Sequence, residues 1–226
     1  MSTISQDRSQ HRSQHRNNYR AVIFDLDGVI TDTARYHYLA WKRLAESQGV
    51  HFDEAFNEHL KGIDRMGSLD LILASAPRSY TAAEKLALAT EKNEHYKTLI
   101  ATMTPADLLP GATRALDTAR AAGLKIGLAS VSRNAFTVLD RLGITDRFDY
   151  VVDAATIAKG KPDPEIFLKA ARELGVLPAD CFGVEDAVAG VASIKAAGMY
   201  AIGVGDPRVL AEADEVIPDL TAFRIP

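Results

Sequence analysis

Several features are scarce or missing in this 226-residue sequence, and each scarcity excludes a class of protein. It contains one cysteine, Cys181, so no internal disulfide can form and a reducing, cytoplasmic location is expected. No apolar run approaches the ~18 residues that span a bilayer, so we expect no membrane association. The net charge is -4, and without an excess of basic residues we expect no nucleic-acid partner.

Residues 1–18 are polar and contain a tandem repeat, Arg8-Ser9-Gln10-His11 followed by Arg12-Ser13-Gln14-His15. Because the segment has few apolar side chains to bury, we predict a disordered tail, and it lacks the apolar region of a secretory signal. A basic helix stripe running to Arg20 and a metal-binding pair, His11 and His15, are less favoured alternatives. The tail offers neither an apolar face nor a third metal ligand.

Two aspartates follow the first apolar run of the chain. The segment Arg20–Phe24 predicts a buried strand, and Asp25 and Asp27 come directly after it, before Gly28. On an extended backbone this spacing puts both carboxylates on one face, about 6.6 Å apart. Acids this close repel each other unless a cation or a proton lies between them, which favours Mg²⁺ or one protonated carboxyl. The alternative is a strand followed by an ordinary Asp-Gly turn.

The rest of the pattern predicts an α/β protein with a helical insertion. Residues 35–104 carry helix signals and no strand signal, including a capping box from Thr81 to Glu84. After Pro105, predicted strands alternate with helices; the strands are Leu124–Ala129, Tyr150–Val152, Cys181–Val184 and Tyr200–Val204. Alternation of this kind indicates a parallel sheet with right-handed crossovers. We therefore predict a doubly wound, Rossmann-like core of residues 19–34 and 105–226, with an all-α cap of residues 35–104.

Polar side chains follow the carboxyl ends of the predicted strands, which is where open α/β sheets bind ligands. Besides the two aspartates, the candidates are Ser130, Ser132, Arg133 and Asn134 after one strand, Glu185 and Asp186 after another, and Lys161 before a helix. Each has an ordinary explanation alone: a helix cap, a surface lysine, or acids that favour a helix N-terminus. Their joint occurrence at one edge of the sheet predicts a functional site.

This set of motifs resembles the haloacid dehalogenase superfamily of phosphoryl-transfer enzymes. The motif D-x-D-G, a serine after a strand, a lysine before a helix and an acidic pair occur in that order across residues 24–190. The resemblance implies that Asp25 is the nucleophile that becomes an aspartyl-phosphate, and that Asp27 is the general acid/base. It also implies a bound Mg²⁺, with Asp25, the Asp27 backbone carbonyl and Asp186 as ligands and Glu185 nearby. The transferring phosphate would be bound by Ser130 and Lys161.

The longer stretch from Asp25 to Trp41, D-L-D-G-V-I-T-D-T-A-R-Y-H-Y-L-A-W, is similar to one branch of that superfamily, the β-phosphoglucomutases. Two patterns carry this likeness: T-x-x-x-H-x-x-x-W at Thr33, His37 and Trp41, and L-K-G-x-x-R at Leu60, Lys61, Gly62 and Arg65. The likeness implies that His37 helps to position the acid/base. It also implies that Lys61 and the backbone of Gly62 contact the sugar. Arg65, with Ser132 and Asn134, would hold a second phosphate, and Lys92 and Arg133 complete the candidate set. Packing within the cap is the simpler interpretation of Trp41.

The resemblance implies an isomerase that interconverts β-D-glucose 1-phosphate and glucose 6-phosphate through an aspartyl-phosphate enzyme and β-glucose 1,6-bisphosphate. The expected cofactors are Mg²⁺ and the bisphosphate, the expected partners are small sugar phosphates, and a monomer is expected. A phosphatase acting on sugar phosphates or phosphoglycolate is the alternative, because the same pair of aspartates can serve transfer to water. A phosphosugar-binding protein without catalysis is a third interpretation, which the intact pair disfavours.

Overall fold

The computed structural model describes residues 19–60 and 63–226. Over these residues the strands form one parallel sheet of six, in the order β3-β2-β1-β4-β5-β6. The strands are β1 Ala21–Phe24, β2 Lys125–Leu128, β3 Tyr150–Val151, β4 Cys181–Glu185, β5 Tyr200–Val204 and β6 Glu215–Ile217. The helices are α1 Ala34–Ser47, α2 Glu54–Glu58, α3 Arg65–Leu73, α4 Ala82–Ile100, α5 Ala112–Ala121, α6 Ala135–Leu142, α7 Glu165–Leu174 and α8 Val188–Ala196. The predicted doubly wound α/β class is confirmed.

Strand β1 lies at the centre of the sheet, with β2 on one side and β4 on the other. Its side chains alternate between two buried clusters, so that Val22 and Phe24 pack with α5 and α6 while Ala21 and Ile23 pack with α7 and α8. A strand buried on both faces needs a continuous apolar run, which this segment supplies. Because neighbouring strands are reached by crossovers in opposite directions, the carboxyl end of β1 is the switch point where ligands bind.

Helices α1 to α4 form an insertion between β1 and the rest of the sheet domain. They enclose an apolar cluster of their own, to which Trp41, Phe52 and Ile72 belong. Helix α4 starts at the predicted capping box, where Thr81 and Glu84 satisfy each other's backbone N–H groups. Helices α1 and α4 pack against each other, and together with the start of α3 they carry the insertion's contribution to the site.

The two chain segments that enter and leave the insertion lie side by side. Thr31 forms a β-bridge with Leu108, and the Leu109 N–H donates to the Ile30 carbonyl at 2.9 Å. The buried Thr31 hydroxyl also donates to the Asp107 carbonyl at 2.7 Å. The insertion is therefore attached to the sheet domain through one paired connection rather than two independent linkers.

Three details of the fold differ from the sequence prediction. Strand β1 ends at Phe24 and the chain bends at Leu26, so Asp25 and Asp27 do not lie on one extended strand. Strand β4 includes Glu185, whereas the sequence pattern predicts that the strand ends at Val184. The prediction also missed β6, whose three residues are too few to show periodicity.

Part of the sequence prediction lies outside the described residues. The disordered tail, the arginine stripe and the His11–His15 pair of residues 1–18 all stay predictions. Among residues 19–60 and 63–226, no helix has the length and apolar character needed to cross a membrane.

Candidate active site

A buried lysine joins two carboxylates beyond the carboxyl end of β1. The Lys161 Nζ donates to Asp25 Oδ1 at 2.6 Å and to Glu185 Oε1 at 2.6 Å. The side chains of all three residues are at most 8% exposed. Since a buried charge is costly unless it is paired, these groups stabilise one another in place. Strands β1 and β4 are neighbours, which brings the two acids together.

Burial and the neighbouring charges shift the pKa of the Asp25 carboxyl upwards. Burial raises its pKa to about 7 against the opposing charge of Lys161, and the Glu185 charge adds to the rise. Burial alone would lower the pKa of Lys161, but the Asp25 and Glu185 charges raise it, so this lysine stays protonated. A second cation near Asp25 would favour the ionised, nucleophilic form of the carboxyl.

Three acids at this point fit a hard divalent cation. Carboxylate oxygens of Asp25, Glu185 and Asp186 all lie within 4.8 Å of one another. Two glycines give these side chains their room: a Cβ on Gly28, whose φ is +78°, would collide with the Asp186 carboxylate, and one on Gly190 would collide with Glu185. An all-oxygen donor set is what Mg²⁺ prefers, so the residues present fit the predicted ion.

Asp27 is paired with a threonine instead of joining the three acids. The Thr33 hydroxyl donates a hydrogen bond to Asp27 Oδ1. Burial raises the pKa of Asp27 to about 8, and the Asp25 charge adds to the rise. A carboxyl that holds its proton at neutral pH can donate it to a leaving oxygen, which is the chemistry predicted for this residue.

The loop between β2 and α6 presents polar groups beside Asp25. Ser130 is buried, and its Oγ accepts a hydrogen bond from the Ser132 N–H at 3.1 Å. The Ser132 Oγ in turn accepts from the Asn134 N–H at 3.3 Å, just before α6 begins. The positive end of the α6 dipole and the hydroxyl groups of this loop favour an anion, so a phosphate is a suitable ligand for it.

His37 and Lys92 form a pair on the facing sides of α1 and α4. The His37 Nδ1 and Lys92 Nζ are 2.9 Å apart. Burial and the charges of Lys92 and Arg65 hold the pKa of His37 well below its usual range. Its neutral ring can therefore accept through Nδ1. The Lys92 ammonium also lies 4.3 Å from the centre of the Trp41 ring.

Arg65 reaches the sheet domain through a residue that the sequence analysis missed. Asn93 Oδ1 accepts hydrogen bonds from Arg65 Nη2 at 2.7 Å and from Asn134 Nδ2 at 2.9 Å. Burial lowers the pKa of Arg65, and the nearby charge of Arg133 lowers it further. Positive charge gathered in this way favours an anionic ligand. The sequence signal for Asn93 was slight: a polar residue next to Lys92 on a long helix.

Two predicted residues, Trp41 and Leu60, are buried in the apolar cluster of the insertion, where Trp41 also contacts the Lys92 ammonium. This position supports the packing interpretation of Trp41. Lys61 and Gly62 lie outside the described residues, so their contact with a sugar stays a prediction. Tyr96 was not predicted; its ring packs against that of His37 at a tilt of 32°, and its buried hydroxyl has no hydrogen-bond partner among the described residues.

A doubly wound sheet with an aspartate, a lysine and an acidic pair at its switch point, together with a helical insertion, defines a class of phosphoryl-transfer enzyme. The chain belongs to the haloacid dehalogenase-like hydrolase family, whose profile matches residues 19–198. Within this family it is 55% identical over 200 residues to a β-phosphoglucomutase of Bacillus subtilis, covering 88% of each chain.

Two further comparisons support this placement. The crystal structure of a β-phosphoglucomutase from Clostridium difficile superposes with a TM-score of 0.89 at 47% identity, covering 91% of this chain and 93% of that one. A phosphorylated carbohydrates phosphatase of Thermotoga maritima is 30% identical over 204 residues, covering 87% of this chain and 92% of its own. The relatives thus include both a mutase and a phosphatase by name.

Proposed function

We propose that this protein is a β-phosphoglucomutase, an isomerase that interconverts β-D-glucose 1-phosphate and glucose 6-phosphate through β-glucose 1,6-bisphosphate. The observation that carries the proposal is the placement of Arg65, from the insertion, beside Asn134 of the loop that also contains Ser130. A phosphatase needs one phosphate pocket. An enzyme with a bisphosphate intermediate needs a second pocket. The positive charge of Arg65, next to Asn134, suits a second phosphate.

Asp25 is the proposed nucleophile. Its carboxylate oxygen forms a bond to phosphorus while the bond from phosphorus to the sugar oxygen breaks. Asp27 gives its proton to that departing oxygen, and in the next half-reaction takes a proton from the incoming sugar hydroxyl. The raised pKa of Asp27, to about 8, suits both directions at neutral pH. Thr33 and His37 are assigned to positioning this acid/base.

The transferring phosphate is assigned to Ser130, the neighbouring backbone N–H and Lys161. Mg²⁺ is assigned to Asp25, the Asp27 backbone carbonyl and Asp186, with Glu185 nearby; when bound, it would reduce the repulsion between the nucleophile and the phosphate oxygens. Lys161 contributes to the same end, because its ammonium contacts Asp25 directly at 2.6 Å. Positioning and charge neutralisation supply most of the catalysis in phosphoryl transfer.

The non-transferring phosphate is assigned to the cationic corner, formed by Arg65, Ser132, Arg133 and Asn134. Because the bisphosphate must present either phosphate to Asp25, this corner has to accept both orientations of the sugar. Lys61, Gly62 and Lys92 are assigned to the sugar side of the cleft, with Leu60 and Trp41 supporting them from the insertion's apolar cluster. A cytoplasmic location and a monomeric state complete the proposal.

The test is to incubate the protein with Mg²⁺, β-glucose 1-phosphate and a trace of the bisphosphate, and to measure glucose 6-phosphate and free phosphate separately. We expect glucose 6-phosphate to exceed free phosphate by a large factor, and Asp25→Asn to abolish both products. Release of mainly free phosphate by the wild type would favour the phosphatase activity named for the Thermotoga maritima relative.

A further inference from the structure

A single carboxylate holds the backbone of the loop that carries Lys161. The loop, residues 157–164, leads directly into α7 and contains no helix or strand. Glu165, the first residue of α7, reaches back along it. Its Oε1 accepts from the Ala158 N–H and its Oε2 accepts from the Lys159 N–H, each at 2.8 Å. Because hydrogen bonds to an ionised acceptor are roughly twice as strong as neutral ones, this contact fixes the start of the loop.

The other end of the same loop is held by α8. The buried Ser193 Oγ donates a hydrogen bond to the Asp163 carbonyl at 2.7 Å. Asp163 Oδ1 in turn accepts from the Glu165 N–H at 3.0 Å. Lys159 lies two residues before Lys161, and Asp163 lies two residues after it. The loop backbone is therefore held on both sides of the lysine, by side chains from two different helices.

Placement matters for Lys161 because its ammonium is buried between two acids. Its Nζ donates to Asp25 Oδ1 and to Glu185 Oε1, each at 2.6 Å. A buried ion pair offsets the cost of removing its charges from water only when its geometry is good. Helix capping does not account for the Glu165 contacts, since the carboxylate accepts from the loop and not from the first turn of α7. The contacts therefore act on the loop and on the lysine that it carries.

We propose that Glu165 and Ser193 are positioning residues for phosphoryl transfer, which hold Lys161 where its ammonium offsets the charges of Asp25 and of the incoming phosphate. Both act through the backbone of the loop, and Lys161 is the group that reaches the reacting atoms. The catalytic part of this statement rests on the proposed function, whereas the placement of Lys161 rests on the hydrogen bonds of the loop.

The first test measures how fast the phosphoenzyme forms. Full-length protein with Mg²⁺ is mixed with radiolabelled acetyl phosphate, and the appearance of protein-bound label is timed. Glu165→Gln keeps the size of the side chain but removes one acceptor oxygen, so it should slow the reaction several-fold. Ser193→Ala should act in the same direction. Glu173→Gln is the matched control, since it makes the same change on α7 at a residue that pairs with Arg172 on the surface.

A double-mutant cycle with Lys161→Met separates positioning from general stabilisation. Methionine keeps an unbranched side chain at position 161 and removes the charge. If Glu165 acts through Lys161, Glu165→Gln should cause little further loss of rate once the ammonium is gone. The same several-fold loss in the wild-type and Lys161→Met backgrounds would overturn the positioning role.

The placement of Lys161 can also be measured without phosphoryl transfer. The protein is treated briefly with acetic anhydride, and mass spectrometry of its peptides gives the rate of acetylation at each lysine. Glu165→Gln and Ser193→Ala should speed acetylation of Lys161 several-fold and leave the rate unchanged at Lys92, which is buried in the insertion.

An unchanged rate at Lys161 would overturn the placement, and so would an equal rise at Lys161 and Lys92, which would indicate general loosening of the protein. If the wild type forms no phosphoenzyme but acetylation of Lys161 alone is faster in the variants, the proposed function fails and the placement of Lys161 stands.

Discussion

The Thr33 hydroxyl donates a hydrogen bond to the Asp27 carboxylate, although Thr33 occupies the N-cap position of α1. A threonine at an N-cap usually accepts a hydrogen bond from the first turn of its helix. Here the neighbouring Asp32 does so instead, because its Oδ1 accepts from the Ala34 N–H at 2.9 Å. Thr33 is therefore available to orient Asp27, at the junction between the active-site loop and the insertion.

Thr33→Val tests this orientation, because valine keeps the branched shape and removes the hydroxyl. We expect turnover of β-glucose 1-phosphate to fall about tenfold or more, since general acid/base catalysis depends on a positioned proton donor. The yield of phosphoenzyme from acetyl phosphate, whose leaving group needs little protonation, should change much less. Thr33→Ser keeps the hydroxyl and should retain most of the activity. Full activity in Thr33→Val would show that the Thr33 hydroxyl does not orient Asp27 for catalysis.

Gly190 provides the space in which the Glu185 side chain lies, so Gly190→Ala should disturb the acidic cluster. Helix propensity alone predicts that alanine would stabilise α8 by about 0.5–1 kcal/mol. The close approach of Glu185 predicts the opposite, because a Cβ at position 190 would collide with its carboxylate. Isothermal titration should show weaker Mg²⁺ binding, and thermal unfolding should show a lower Tm. Gly160→Ala is the control, since a Cβ there meets open space.

Lys92 predicts a pH dependence of folding stability. Burial, aided by the charge of Arg65 and opposed by that of Asp27, lowers its pKa to about 7 from an ordinary value of 10.5. Between these two values the unfolded chain binds a proton that the folded chain does not, so this residue makes stability rise with pH across that window. Each pKa unit corresponds to about 1.4 kcal/mol.

Lys92→Met isolates this contribution, because the other titrating groups remain in both proteins. Urea unfolding at several pH values across the window gives the free energy of unfolding of each. The free energy of unfolding of the wild type should rise relative to that of Lys92→Met as the pH rises from 7 towards 10.5. A difference that stays constant with pH would show that Lys92 keeps an ordinary pKa in the folded protein.

Arg65→Ala tests the second phosphate site. Loss of the guanidinium should lower mutase turnover severely, because the distal phosphate loses its charged partner. Slow hydrolysis of acetyl phosphate, which has no distal phosphate, should persist. Arg78→Ala is a suitable control, since this exposed arginine of the insertion pairs with Glu84 away from the site. Equal losses in both reactions would assign Arg65 a structural role instead.

The parts of the site that could be predicted from the sequence are those encoded within short segments. An apolar run followed directly by acids predicts a strand with those acids near its carboxyl end, as at Asp25 and at the Glu185-Asp186 pair. The position of Lys161 just before a helix likewise predicts that it belongs to the site, where it contacts Asp25 and Glu185. Contacts between distant elements are set by tertiary packing. The hydrogen bond between Asn93 and Asn134 joins residues 41 positions apart, and no local pattern predicts it.

The central claim is that Asp25 passes its phosphoryl group to a sugar rather than to water. The most direct measurement is to load the protein with radiolabelled acetyl phosphate, add excess β-glucose 1-phosphate, and quench within one turnover. The account predicts that most of the label appears in β-glucose 1,6-bisphosphate, that little appears as free phosphate, and that Asp25→Asn takes up no label. Label released as free phosphate at the same rate with and without the sugar would contradict it.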